Sequence, residues 1–261
     1  MRRDAHLPDR ADRHLRWVGV VLLMPPLLLA VFAPALGKLT IGAMLAPPSL
    51  RHPLGTDELG HDMLVLLAQG AQVSFAIGTL ATLIALLVGT VLGLCAAFGG
   101  RLVDDLVMRT AEITVTVPPL LLAIVVVALL GSGTLLTAVA LGVGAWPTAG
   151  RVARAAGLAL RGQPDLLAAR ALGVSRPGIA LRHVLPAILP VVLALTGVLF
   201  SSAVLAEATL SFVGLTNHDV PGWGHIMAHA GPYLRDAWWM WLFPGGLLIM
   251  ATAGVALLAD S

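Results

Sequence analysis

The side chains able to do chemistry are few, and most fall in two polar segments between long apolar runs. His52 and His61 lie in one, with Asp57, Glu58 and Asp62; His218, His225 and His229 lie in the other. Imidazole is the commonest metal ligand, and the i, i+4 spacing of His225 and His229 puts both on one face of a helix. His61, His225 and His229 are therefore the metal candidates. Against them stands the reading of ordinary loop residues, because no carboxylate or cysteine stands at a ligand spacing. Asp57, Glu58 and Asp62 also admit two readings. They form an electrostatic dock for another protein, or they serve turns and caps, with Thr56 or Asp57 starting a short helix. Glu112 and Glu207 stand at the ends of apolar runs, where partial hydration and an interhelical hydrogen bond are expected before any ligand contact. The chain has no GxxxxGK[ST] loop and hence no ATP site of its own; Gly99-Gly100-Arg101 reads as a turn. No Ser/His/Asp set, paired carboxylates or HExxH falls on an apolar run, which argues against an enzyme.

The elements that must position these residues are membrane helices. The 261 residues are 58% hydrophobic and 11% charged, outside the range of soluble globular chains. Six stretches, near residues 17–36, 73–98, 113–131, 135–150, 187–205 and 237–258, are apolar enough to span a hydrocarbon core of about 30 Å. Pro25-Pro26 predicts a kink in the first. The head, Arg2, Arg3, Arg10, Arg13 and Arg16, precedes a long apolar run with no small-residue cleavage site, so residues 1–16 read as a disordered cytoplasmic tail before a retained first helix. With the N-terminus inside, the basic residues divide as five in the tail, two after the second span and six in a long loop, against three outside. That bias places both termini and the loop in the cytoplasm. It accounts for the small positive net charge without a nucleic-acid partner. The single Cys95 leaves disulfides no role. Trp238, Trp239 and Trp241 read as an interfacial aromatic belt.

One membrane domain, residues 17–261, follows the tail. Two external segments, about 37–72 and 207–236, are dense in Gly and Pro and predict compact irregular caps. The cytoplasmic loop, about 151–186, reads as helix, break, helix. Residues 148–160 are rich in Ala, Arg and Leu; Gln163-Pro164-Asp165 restarts the helix; Gly173 ends it; Ser175-Arg176-Pro177 opens another turn. Ala168 and Ala169 let another surface come close. A long basic helical loop is built to be gripped by another polypeptide; the competing reading is an amphipathic segment lying on anionic headgroups.

Four ordered motifs carry a resemblance. Ala168-Ala169-Arg170-Ala171-Leu172-Gly173, followed by Leu185-Pro186, resembles the EAA loop of permease subunits of binding-protein-dependent ABC transporters. His52-Pro53-Leu54-Gly55-Thr56-Asp57-Glu58-Leu59-Gly60 resembles the external signature of the dipeptide/oligopeptide/nickel branch, and specifically of the second, shorter permease of the pair. Gly99-Gly100-Arg101, Asp104 and Met108-Arg109 match the segment after the second span. Ala206-Glu207, Leu210-Ser211-Phe212, Gly214-Leu215 and Trp223-Gly224 match the segment after the fifth. Three departures stand out. Leu167 replaces the acidic residue that opens the loop motif, with Asp165 two positions earlier; His61 replaces an arginine; and relatives are expected to run on beyond Ser261.

The resemblance implies an all-α integral membrane protein with about six membrane helices and a cytoplasmic coupling helix, like a type I ABC importer permease. It implies a second permease, two ATPases carrying ATP and Mg2+, an external solute-binding protein and the bilayer as partners, and no cofactor in this chain. Asp165, Ala168, Ala169, Arg170, Gly173, Leu185 and Pro186 then form the ATPase-coupling loop. His52, Pro53, Gly55, Thr56, Asp57, Gly60 and Asp62 form the external signature or dock, and Glu207, Ser211, Phe212 and Trp223 become gate or path candidates. The implied cargo is di- or oligopeptide, with nickel or a metal chelate as the alternative. A stand-alone channel or secondary transporter fits less well, because no charge falls mid-span and no inverted repeat is present.

Overall fold

The computed structural model describes residues 10–37, 41–216 and 220–259, with side chains from residue 14 onward. Its helices are α1 (Arg10–Phe32), α2 (Met63–Phe98), α3 (Arg101–Thr116), α4 (Pro119–Leu130), α5 (Thr134–Leu160), α6 (Pro164–Ala171), α7 (Arg176–Ile179), α8 (Leu185–Leu193), α9 (Thr196–Phe212), α10 (Trp223–Ala230) and α11 (Trp239–Ala259). Two 3₁₀ turns, Ala33–Leu36 and Gly231–Tyr233, and a π turn, Ala180–Val184, join them. Among the described residues no strand forms, only the isolated bridges Ile41–His61 and Thr56–Asp62. Five helices are long and apolar enough to cross a membrane, or six if α3 and α4 count as one bent span. The chain is thus an all-helical, multi-pass membrane protein, as its composition requires.

Several boundaries differ from the sequence reading, each for a local reason. The first helix begins at Arg10, inside the expected tail; residues 1–9 lie outside the described residues. It carries Pro25 and Pro26 internally. Helix α2 starts at Met63 rather than near residue 73, because Asp62 caps it: Asp62 Oδ1 accepts from the Leu64 N–H at 2.8 Å. The expected helix start at Thr56 or Asp57 is therefore wrong. The third span is broken by 82° between α3 and α4. Val117 precedes Pro118 and is extended at φ −86°, ψ 121°, as a residue before proline prefers, and Pro119 opens α4. Helix α5 runs through to Leu160, so residues 148–160 continue the fourth span instead of forming a separate loop helix. The fifth span is two helices, α8 and α9.

The chain forms two compact units. One takes the N-terminal part to Ile77 together with Phe200 onward; the other is Gly78–Leu199. In the first, α1 lies along α11 with no side chain between them at Gly19 and Gly254; a Cβ on Gly254 would stand 3.0 Å from the Gly19 carbonyl. Met63, Leu67, Trp223, Trp239 and Met240 centre its core. Trp239 is 3% exposed and donates from Nε1 to the Thr56 carbonyl at 3.0 Å. The aromatic-belt reading therefore fails for Trp239, whose indole N–H finds a buried partner in place of the membrane–water boundary, while Trp238 remains half exposed. In the second unit, α5 packs against α3, α4 and α8. Gly89 on α2 faces α5 so closely that a Cβ would fall 2.6 Å from the Trp146 carbonyl. Small residues at helix crossings in membranes allow this approach. Asp104 of α3 and Arg154 of α5 close a forked ion pair, Nε–Oδ1 2.5 Å and Nη2–Oδ2 2.6 Å.

Candidate coupling loop and polar cap

In the second unit the chain from Arg161 to Pro186 builds one small projecting helix on a packed base. Arg161 ends α5 with its guanidinium 5.8 Å from the centre of the Phe98 ring. Gln163 is extended, and Pro164 and Asp165 open α6. The helix closes in a Schellman motif: the Gly173 N–H donates to the Arg170 carbonyl at 2.9 Å and the Val174 N–H to that of Ala169 at 3.1 Å. Gly173 holds φ +83°, a conformation that glycine takes at little cost. Leu166 and Ala169 are buried among Phe98, Ile179 and Val184. Asp165, Ala168 and the leucines at 167 and 172 face outward, the leucines 51% and 85% exposed. Arg170 is half buried, and its Nε has no hydrogen-bond partner among the described residues. Ser175 caps the following turn by accepting from the Gly178 N–H. Leu185 is half buried and Pro186 exposed; the π turn ends with the Leu185 N–H bonded back to Ala180. The seven loop residues named from sequence thus lie along one helix–turn–helix segment, with the two alanines on different faces.

In the first unit the signature residues form a hydrogen-bonded cap. Thr56 is fully buried; its Oγ1 donates to the Ala43 carbonyl at 2.6 Å and accepts from the Ala46 N–H at 2.8 Å. Asp57 Oδ1 accepts from the Leu59 and His61 N–H groups, and its Oδ2 stands 2.9 Å from His61 Nδ1. His52 Nδ1 and Asp62 Oδ2 are 2.8 Å apart. Gly55 and Gly60 take positive φ, 78° and 83°, and Pro53 is exposed. Asp57 and Asp62 therefore serve turn and cap chemistry, whatever else they meet. The three metal candidates do converge: His61, His225 and His229 line one 260 Å³ cavity with Asp57 and Glu58. Yet among the described residues no group of three or more His, Cys, Asp or Glu is disposed to hold a metal ion. His229 Nδ1 meets its own helix at the His225 carbonyl, 3.1 Å away. His218 lies outside the described residues.

The four gate or path candidates separate. Glu207 is wholly buried, not partly hydrated as expected, and accepts at Oε2 from the Ser74 hydroxyl of α2 at 2.8 Å. Its Oε1 has no hydrogen-bond partner among the described residues and faces Gly222, where a Cβ would come within 2.6 Å. Ser211 is buried and accepts from the Thr216 hydroxyl at 3.0 Å. Trp223 is buried, donates to the Leu67 carbonyl at 2.9 Å and meets Phe75 edge-on. Phe212 alone is exposed, at 46%, in edge contact with Trp241. Glu112 is exposed on α3. Sequence reasoning missed Ser74 and Thr216, and it counted Arg154 only among the basic loop residues, without its partner Asp104. A serine in an apolar run and an arginine four residues beyond Gly150 were the only signals, and neither names its partner.

Residues 89–259 match the family model described as the inner membrane component of binding-protein-dependent transport systems. Over 258 residues the chain is 37% identical to a provisionally named peptide transport system permease protein of Brucella abortus, covering 96% of this chain and 87% of that protein. It is 32% identical over 249 residues to a dipeptide transport system permease protein of Alkalihalophilus pseudofirmus, 93% of this chain and 82% of the relative. A provisionally named peptide permease protein of Brucella suis is 31% identical over 251 residues, 93% and 83% of the two chains.

Proposed function

The chain belongs to the family of inner-membrane components of binding-protein-dependent transport systems, and from that premise we propose that it is one permease subunit of an ATP-driven importer for di- and oligopeptides. It pairs with a second permease to enclose the path, receives solute from an external binding protein, and rests on two cytoplasmic ATPases that carry ATP and Mg2+. It is a transport component and not an enzyme. The observation that carries the reading is α6: a short helix pinned from beneath by Leu166 and Ala169, locked at its end by the Schellman turn, and presenting Leu167, Ala168 and Leu172 outward. Such a helix transmits a push without bending, because its base is packed and its exposed face is apolar enough to seat in a groove. Closure of the ATPases would then move the spans as rigid bodies between two access states. Both termini and α6 face the cytoplasm, in keeping with the arginine bias.

The relatives' names support peptides as cargo. Nickel is less favoured, since His52 and His61 are already bonded to Asp62 and Asp57. Uptake of a labelled dipeptide and of radio-nickel, in cells lacking the gene with and without the restored protein, tests the reading. Dipeptide uptake is expected to fall to background without the chain and to return with it, while nickel uptake stays level. Intact peptide uptake in the deleted strain, or loss of nickel uptake alone, would overturn it.

A further inference from the structure

We propose that the groove between α2 and the α7–α8 segment is a binding site for an anionic phospholipid of the surrounding bilayer. The groove encloses 460 Å³, within the range of about 300–1,000 Å³ common for ligand sites. One wall is α2 from Leu87 to Gly99 and the other runs from Arg176 to Leu185. Along α2 that span is about 18 Å at 1.5 Å per residue, close to the roughly 15 Å of hydrocarbon in one leaflet. The lining is hydrocarbon except for Thr90, Cys95 and Arg176.

The two walls are charged at one shared end. Arg161, just after α5, lies 5.8 Å from the centre of the Phe98 ring next to Gly99, and α6 and α7 continue from there to Arg176 over a base that Phe98, Leu166, Ala169 and Ile179 share. At that end Arg176 is exposed, and its guanidinium has neither an ion pair nor a hydrogen bond among the described residues. Beyond Gly99, Arg101 is exposed, with its nearest carboxylate, Asp105, 3.9 Å away. A free inorganic anion would answer the arginines and leave the apolar walls bare. An apolar helix would cover the walls and leave the arginines unanswered. A phospholipid does both: its phosphate lies among the arginines and its acyl chain along the groove.

The inference rests on the membrane-spanning character of the chain and not on its cargo, so its failure would leave the uptake result untouched. The whole transporter in nanodiscs, supplied with phosphatidylglycerol carrying a diazirine in its acyl chain, is irradiated and the adducts are mapped by mass spectrometry. Adducts are expected on residues 87–99 and 176–185, competed by unlabelled phosphatidylglycerol and not by phosphatidylethanolamine or inorganic phosphate. Arg176→Gln should lower them about fivefold, the equivalent of the roughly 1 kcal/mol that one arginine contributes beside an anionic surface. Leu181→Trp, which fills the groove from an exposed position, should abolish them. Equal competition by phosphatidylethanolamine, competition by phosphate, an unchanged yield in Arg176→Gln, or no groove adduct because another chain covers it would each overturn the assignment.

Discussion

Glu207 is a wholly buried acidic side chain in the first unit. A carboxylate removed from water needs hydrogen bonds, and among the described residues this one has a single donor, Ser74, with Gly222 close against its other oxygen. Ser74→Ala removes that donor and should cost about 1–3 kcal/mol, the penalty of an unsatisfied buried polar group. The thermal midpoint of the purified protein should fall accordingly. Glu207→Gln keeps an acceptor for Ser74 and loses the carboxylate, so its midpoint should match or exceed the parent's; a larger fall in Glu207→Gln than in Ser74→Ala would show that the carboxylate has a partner beyond Ser74. Gly222→Ala places a methyl on Glu207 and Ser211 together and should lower both the midpoint and uptake. Sequence alone singled out Glu207 by its charge at the end of an apolar run. It could not reveal the burial, because that depends on Ser74, 133 positions away. A hydroxyl in an apolar helix looks the same whether it bonds its own backbone, as Thr82 does, or another helix.

The short helix α6 was legible almost to the residue. Proline at its start, an Ala-rich body and Gly173 at its end are local signals, and local signals survive folding. Which alanine faces outward was not legible, since eight residues with a weak apolar pattern leave the rotation open. The structure separates the pair. Ala168 is exposed and Ala169 is 8% exposed inside the cluster. Ala168→Trp should therefore leave the protein inserted and stable while cutting ATP-driven uptake at least tenfold. Ala169→Trp overpacks the base, with a loss of about 1–3 kcal/mol in stability. Parental uptake in Ala168→Trp would dismiss α6 as the contact. The bend between α3 and α4 makes the opposite case. Hydropathy reads residues 113–131 as one span, whereas Pro118-Pro119 held the local signal for a break that an averaged window conceals.

For the molecule as a whole, the multi-pass character followed from composition, with five qualifying helices, or six if α3 and α4 form one bent span, against the six expected, while the helix lengths did not. Helices α2 and α5 outrun the apolar runs expected of them; Asp62 caps the start of α2, and Arg154 ties the end of α5 to α3. Sidedness depends on the arginine bias and is open to direct measurement. In a Cys95→Ser background, a membrane-impermeant maleimide should label Leu50→Cys in intact cells and Leu172→Cys only after permeabilisation. Both side chains are exposed, so access and not burial decides the result. The reverse pattern would invert the topology. The same exposure at Leu172, with Leu167 beside it, bears on how the cell must make this protein. If α6 seats on an ATPase as proposed, a copy synthesised in excess of that partner would hold two leucines out into water, a target for chaperones and proteases. Gene dosage and translation rate, as much as sequence, then decide how much of the chain survives.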